Sequence, residues 1–173
     1  MLKLARNTLA FAFVCLSLAT HAQGALKAYT PRTAAPAFDL QGADGKQYRL
    51  ADFAGKVLVV NFWATWCPPC RKEMPSMQRM WRGLQADGVE LVAIDFGDDK
   101  DVVAAFAIEA EVEFPLLLDQ KGAVLQQFKA LGLPTTYVID RRGKLAYVAT
   151  GEREWDAQTI LATLRKLAHE SRS

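Results

Sequence analysis

The sequence predicts an α/β domain with a central mixed β-sheet flanked by helices. Three observations carry that expectation. The apolar run Val57-Leu58-Val59-Val60-Asn61-Phe62-Trp63 reads as a strand buried on both faces. Strand-like and helix-like segments then alternate, a pattern that buries parallel strands under helices. A hairpin and one amphipathic helix finish the chain, which makes the sheet mixed.

Taken in order, residues 1–22 read as a secretory signal. Lys3 and Arg6 give a positive start, Leu9 to Ala19 is apolar over eleven residues, and Thr20-His21-Ala22 offers a small-x-small cleavage site. A span needs roughly 20 apolar residues, so this stretch is short for an anchor. An uncleaved N-terminal membrane anchor is the alternative. Residues 23–34, with Pro31 and several Ala and Thr, read as a linker, and 35–173 as one domain. Ala37 to Leu40 and Gln47 to Leu50 flank the turn-rich Gly42-Ala43-Asp44-Gly45-Lys46, which predicts an N-terminal β-hairpin.

Gly55-Lys56 leads into the strand Val57 to Phe62. A helix is expected from Pro68 to about Gln85, kinked at Pro75, which removes one backbone bond. Val89 to Phe96 reads as a strand, and Asp98 to Ala110 as a helix with Asp98, Asp99 and Asp101 at its N-terminal end. Phe114 to Leu118 is a short strand and Lys121 to Leu131 a short helix. Thr135 to Asp140 and Lys144 to Thr150 form a hairpin about Arg141-Arg142-Gly143. The last helix, Glu154 to His169, places Ile160, Leu161, Leu164, Leu167 and Ala168 on one face.

Cleavage after Ala22 removes Cys15, Lys3 and Arg6. Two cysteines remain, and 21 basic residues become 19 against 19 acidic ones. A formally neutral chain gives no support for nucleic acid as partner. Lone cysteine pairs in an oxidising compartment fit catalysis better than stapling.

The chemistry lies in Trp66-Cys67-Pro68-Pro69-Cys70, where the apolar strand gives way to a helix. The first turn of a helix has unpaired N–H groups and the positive end of the macrodipole, so a sulfur there is favoured as thiolate. A thiolate attacks a disulfide, and a second thiol one turn away resolves the mixed disulfide. Pro68 suits the first helical position, where its missing N–H is unpaired anyway. Zinc would need a second pair of ligands, and a c-type haem would need His where Arg71 stands. A purely structural disulfide over so short a loop contributes only about 2 kcal/mol. No cofactor is called for.

Val59 to Cys70 resembles the active-site segment of thioredoxin-like proteins, and more narrowly that of the TlpA/ResA-type extracytoplasmic thiol-disulfide oxidoreductases. Ala35-Pro36-Ala37-Phe38-Asp39-Leu40 is similar to that class's opening motif, Arg71-Lys72-Glu73-Met74-Pro75 to its active-site helix, and Gly132 to Asp140 to its cis-proline segment. The resemblance implies a thioredoxin-like fold with a family-type αβ insertion. It makes Cys67 the exposed nucleophile and Cys70 the buried resolving thiol. It also implies that Leu133-Pro134 is a cis peptide, with the Leu133 backbone pairing an extended substrate. Glu73 then tunes the protonation of the pair, and Trp66 shapes the docking surface. Bland alternatives stand beside these: Pro134 as an ordinary turn, Glu73 as a solvated acid paired with Arg71 or Lys72, Trp66 as a core or simply exposed aromatic. Asn61 departs from thioredoxin, which has a buried aspartate there. Asparagine cannot carry a proton, and Glu73 is the candidate substitute.

The function expected from this class is reduction of disulfides in secreted clients, apocytochrome c among them. A membrane donor of the DsbD/CcdA type would recharge a monomeric periplasmic protein. A DsbA-like oxidase is one rival, weakened because Pro68 and Pro69 cannot donate an N–H to the Cys67 sulfur. Arg71 and Lys72 push the other way. A peroxiredoxin-like peroxidase is a second rival, but Val60 and Ala64 replace the Pro and Thr of its Pro-x-x-x-Thr-x-x-Cys pattern. A non-enzymatic periplasmic binding module is the third.

Overall fold

The computed structural model describes residues 26–171; the expected signal segment and its cleavage site lie outside them. The elements are β1 (Lys27–Ala28), β2 (Asp39–Gln41), β3 (Gln47–Arg49), β4 (Val57–Trp63), α1 (Pro68–Leu84), β5 (Val89–Phe96), α2 (Lys100–Glu109), β6 (Leu116–Asp119), α3 (Ala123–Phe128), β7 (Thr135–Ile139), β8 (Leu145–Thr150) and α4 (Gln158–His169). Six strands form one sheet in the order β1-β8-β7-β4-β5-β6, and β2 and β3 make the separate hairpin. Strands β4, β5 and β6 run parallel, whereas β7 is antiparallel to both β4 and β8. The αβ unit formed by α2 and β6 supplies the far edge.

Strand β4 is buried at all seven positions, as its unbroken apolar run predicts for the middle of a sheet. Successive side chains point to opposite faces. Val57, Val59 and Trp63 therefore join a core with α1, α2 and α4, while Leu58, Val60 and Phe62 join one with the hairpin and α3. Trp63 packs on Phe106 of α2 with ring centroids 4.7 Å apart. Helix α1 runs through Pro75 without interruption.

Several boundaries differ from expectation for identifiable reasons. The segment expected as a linker is docked: Lys27 and Ala28 pair with Val148 and Tyr147, and Ala34 bridges Lys144. Its Arg32 reaches Asp140 at 3.2 Å and Glu170 at 3.0 Å. That strap covers an edge of β8 whose backbone groups would otherwise lack partners. Helix α2 starts after Asp99, because Asp98 is engaged elsewhere. Helix α3 is short because Gly122 and Lys129 at its ends are left-handed, with φ of 67° and 56°. Helix α4 begins late since the Trp155 amide instead donates to Ser76 Oγ at 3.0 Å.

Candidate active site

Strand β4 delivers the chain to Cys67, which is the N-cap of α1, with Pro68 at the first helical position. The Cys67 amide donates to Ala64 O at 3.2 Å, and Arg71 N donates to Cys67 O at 3.1 Å, so the loop closes directly onto the helix. Cys67 and Cys70 are joined as a disulfide, with Cα atoms 5.3 Å apart. The two sulfurs are not equivalent. Cys70 is fully buried, whereas Cys67 keeps 4% exposure and lines an apolar groove of about 370 Å³. Cys67 is thus far less open than the resemblance implies, yet it is the member that faces outward.

Trp66, Pro68, Phe96, Leu131 and Leu133 are among the other residues that line that groove. Trp66 is 62% exposed and Leu131 99%, so two large apolar side chains stand in water on the groove that Cys67 lines. The Leu133–Pro134 peptide is cis. Leu133 lies just outside the β7 ladder, which begins at Thr135.

Glu73 lies one turn beyond Cys70, on the same side of α1. It is 2% exposed and pairs with neither of the cations proposed for it: Arg71 pairs with Glu109 and Lys72 with Glu152. Instead it accepts from Asn61 Nδ2 at 2.8 Å, Trp155 Nε1 at 3.0 Å and the Arg153 amide at 3.3 Å. Burial pushes its carboxyl up to about 7, against the opposing pull of these donors. A group poised there can exchange a proton at neutral pH. Asn61 also donates to Thr136 Oγ1 at 2.9 Å, so one buried side-chain amide bridges Glu73 of α1 and Thr136 of β7.

Sequence reasoning missed Arg153 and Trp155, which come from the turn before α4 and have no motif around them. It also missed Asp95, a fully buried acid at the end of β5. The signal was present, since Asp95 follows the unbroken apolar stretch Leu91 to Ile94, where an acid is buried with the strand. Asp98, expected to start α2, instead accepts from Thr65 N at 2.9 Å and Thr65 Oγ1 at 2.8 Å.

Fold and site together define a thioredoxin-like thiol-disulfide oxidoreductase. The AhpC/TSA family matches residues 31–148, and the chain belongs to that family. It is 40% identical to the thiol-disulfide oxidoreductase ResA of Geobacillus thermodenitrificans, over 68% of this chain and 67% of that one. ResA of Bacillus subtilis is 41% identical over 68% of this chain and 65% of its own length. Among solved structures, a thioredoxin-family thiol:disulfide interchange protein of Chlorobium tepidum superposes with TM-score 0.71 at 28% identity, covering 82% of this chain and 99% of that one. A secreted thiol-disulfide isomerase of Corynebacterium glutamicum does so with TM-score 0.74 at 25% identity, covering 86% and 95%.

Proposed function

We propose that the protein works outside the cytoplasm as a reductase of disulfides in exported proteins. Reduced Cys67 attacks a client disulfide, forms a mixed disulfide and releases one client sulfur as a thiol. Cys70, deprotonated, attacks the Cys67 sulfur and closes the Cys67–Cys70 bond, and the second client sulfur leaves as a thiol. Two electrons pass to the client, and a membrane donor of the DsbD/CcdA type returns them. Glu73 tunes the protonation of the pair, and Trp66, Leu133 and Pro134 seat the client segment. Apocytochrome c before haem attachment is the client proposed.

The observation that carries the direction is the pair of prolines after Cys67. Neither can donate an N–H to the sulfur, so the thiolate is less stabilised and the disulfide less oxidising than in an oxidase. A location outside the cytoplasm rests on the reading of residues 1–22 and on likeness to a protein described as secreted. The test is the equilibrium potential of the pair against glutathione. A value well below the glutathione range supports reduction. A value near the DsbA figure of about −120 mV overturns it.

A further inference from the structure

A second buried acid, Asp95, stands behind the active-site loop. In the β4–β5 ladder Asp95 is opposite Trp63, two residues before Thr65 and four before Cys67. It has no exposed surface. Its Oδ1 accepts the Asp98 amide at 3.0 Å, and among the described residues no donor meets hydrogen-bond geometry at its buried Oδ2. The turn that this bond closes, 95–98, ends in the carboxylate that grips Thr65 through both its amide and its hydroxyl. Thr65 in turn adjoins Ala64, whose carbonyl accepts the Cys67 amide at 3.2 Å. One continuous path of short bonds thus runs from Asp95 to the nucleophile's loop.

We propose that Asp95 is a positioning residue for that loop: as a neutral acid it holds the 95–98 turn so that Asp98 latches Thr65, and on ionising it releases the latch. Only the consequence for disulfide exchange rests on the redox reading given above; the latch itself does not. A second anion in a turn that already holds the Asp98 carboxylate is repelled, and a buried anionic oxygen without a donor is costly. Burial accordingly pushes the Asp95 carboxyl up to about 8; the Asp98 amide draws it down, and the Asp98 charge and the approach of the two carboxyl groups to each other drive it up.

The other charges on neighbouring elements are engaged with other partners or exposed to solvent. Arg71 of α1 lies over the Phe106 ring at 5.6 Å and pairs with Glu109. Glu73 is held by Asn61, Trp155 and the Arg153 amide. Asp99 accepts from Gln120, Lys100 and Asp101 are exposed at the start of α2, and the β6 residue opposite Asp95 is Leu118. Among the described residues, the charge that acts on Asp95 is that of Asp98.

The test is hydrogen exchange of the Thr65 amide, followed by NMR on the full oxidised chain from neutral to alkaline pH, with no client present. After division by the intrinsic base-catalysed rate, protection in the wild type should fall about tenfold as pH rises through about 8, the effect of one pKa unit of coupling. Asp95→Asn, which stays neutral, should show no such fall. A flat wild-type profile overturns the latch, and so does an equal fall in Asp95→Asn. If Asp95→Asn does not fold, Glu73→Gln, which removes the other raised acid, should keep the fall near pH 8, and its loss there overturns the latch. A flat profile in a protein that reduces disulfides removes the latch and leaves the redox reading standing. A falling profile in a protein inactive on disulfides does the reverse.

Discussion

At the scale of single residues, the site works by making two chemically identical groups different. Cys67 and Cys70 sit three positions apart, yet only Cys67 lines the groove and Cys70 has no exposed surface. A Cys70→Ala variant should therefore accumulate mixed disulfides through Cys67, and Cys67→Ala should trap none; comparable trapping through Cys70, read by non-reducing electrophoresis, would reverse the assignment. Glu73 adds a charge argument. A carboxylate one turn from Cys70 disfavours a second negative charge, so it should raise a thiol pKa. The three groups then titrate as a coupled set. Glu73→Gln should lower the apparent thiol pKa by about one unit and flatten the pH dependence of reduction, as thiolate absorbance would show. A titration curve superimposable on wild type removes the charge role. A glutamine has one acceptor oxygen for donors that now approach both, so the same variant should lose about 1–3 kcal/mol of stability.

At the scale of elements, the groove depends on the turn before α3. Gly122 has φ of 67°, and a Cβ there would come within 2.6 Å of the Phe96 ring. Gly122→Ala should cost roughly 1–3 kcal/mol of stability through backbone strain. It should also push Phe96 into the groove beside Cys67 and slow reaction with peptide disulfides more than with small ones. An unchanged denaturation midpoint would refute the strain argument. Elements such as β4, β5 and α1 were legible in the sequence because their apolar spacing and Pro68 are local signals. The docked strap at 27–34 was not, because what holds it is the distant edge of β8 rather than its own composition. The start of α2 differs from the expected one for a similar reason: Asp98 is a good helix-start residue, but Thr65, 33 positions away, takes its carboxylate. The cysteine pair was legible from its place where a strand gives way to a helix, and Glu73 only through the resemblance of Arg71 to Pro75 to the family's active-site helix. Asn61, Arg153 and Trp155 became partners of Glu73 only once β4, α1 and the turn before α4 met.

At the scale of the whole molecule, the two buried acids give the fold a pH response opposite in sign to that of ordinary ion-paired carboxylates. Glu73 rises from 4.5 to about 7 on folding, and Asp95 from 3.8 to about 8. Between those values the folded chain holds more protons than the unfolded one, so stability falls as pH rises. Each contribution is fully present below the unfolded pKa and is lost as pH passes through the folded one. Asp39 and Glu113 act the other way: hydrogen bonds from Gln47 and Arg82 hold them below the usual carboxylate range, and their effect is confined to acid pH. Denaturant unfolding between pH 5 and 9 therefore isolates the buried pair. The midpoint should drift downward as pH rises, with the steepest loss between about 5 and 8, the window bounded by the ordinary and raised carboxyl values. Glu73→Gln should remove the part of the slope that ends near 7, and adding Asp95→Asn should leave the curve close to flat. A wild-type midpoint that is constant or rising across that range would mean that neither acid is held neutral by the fold.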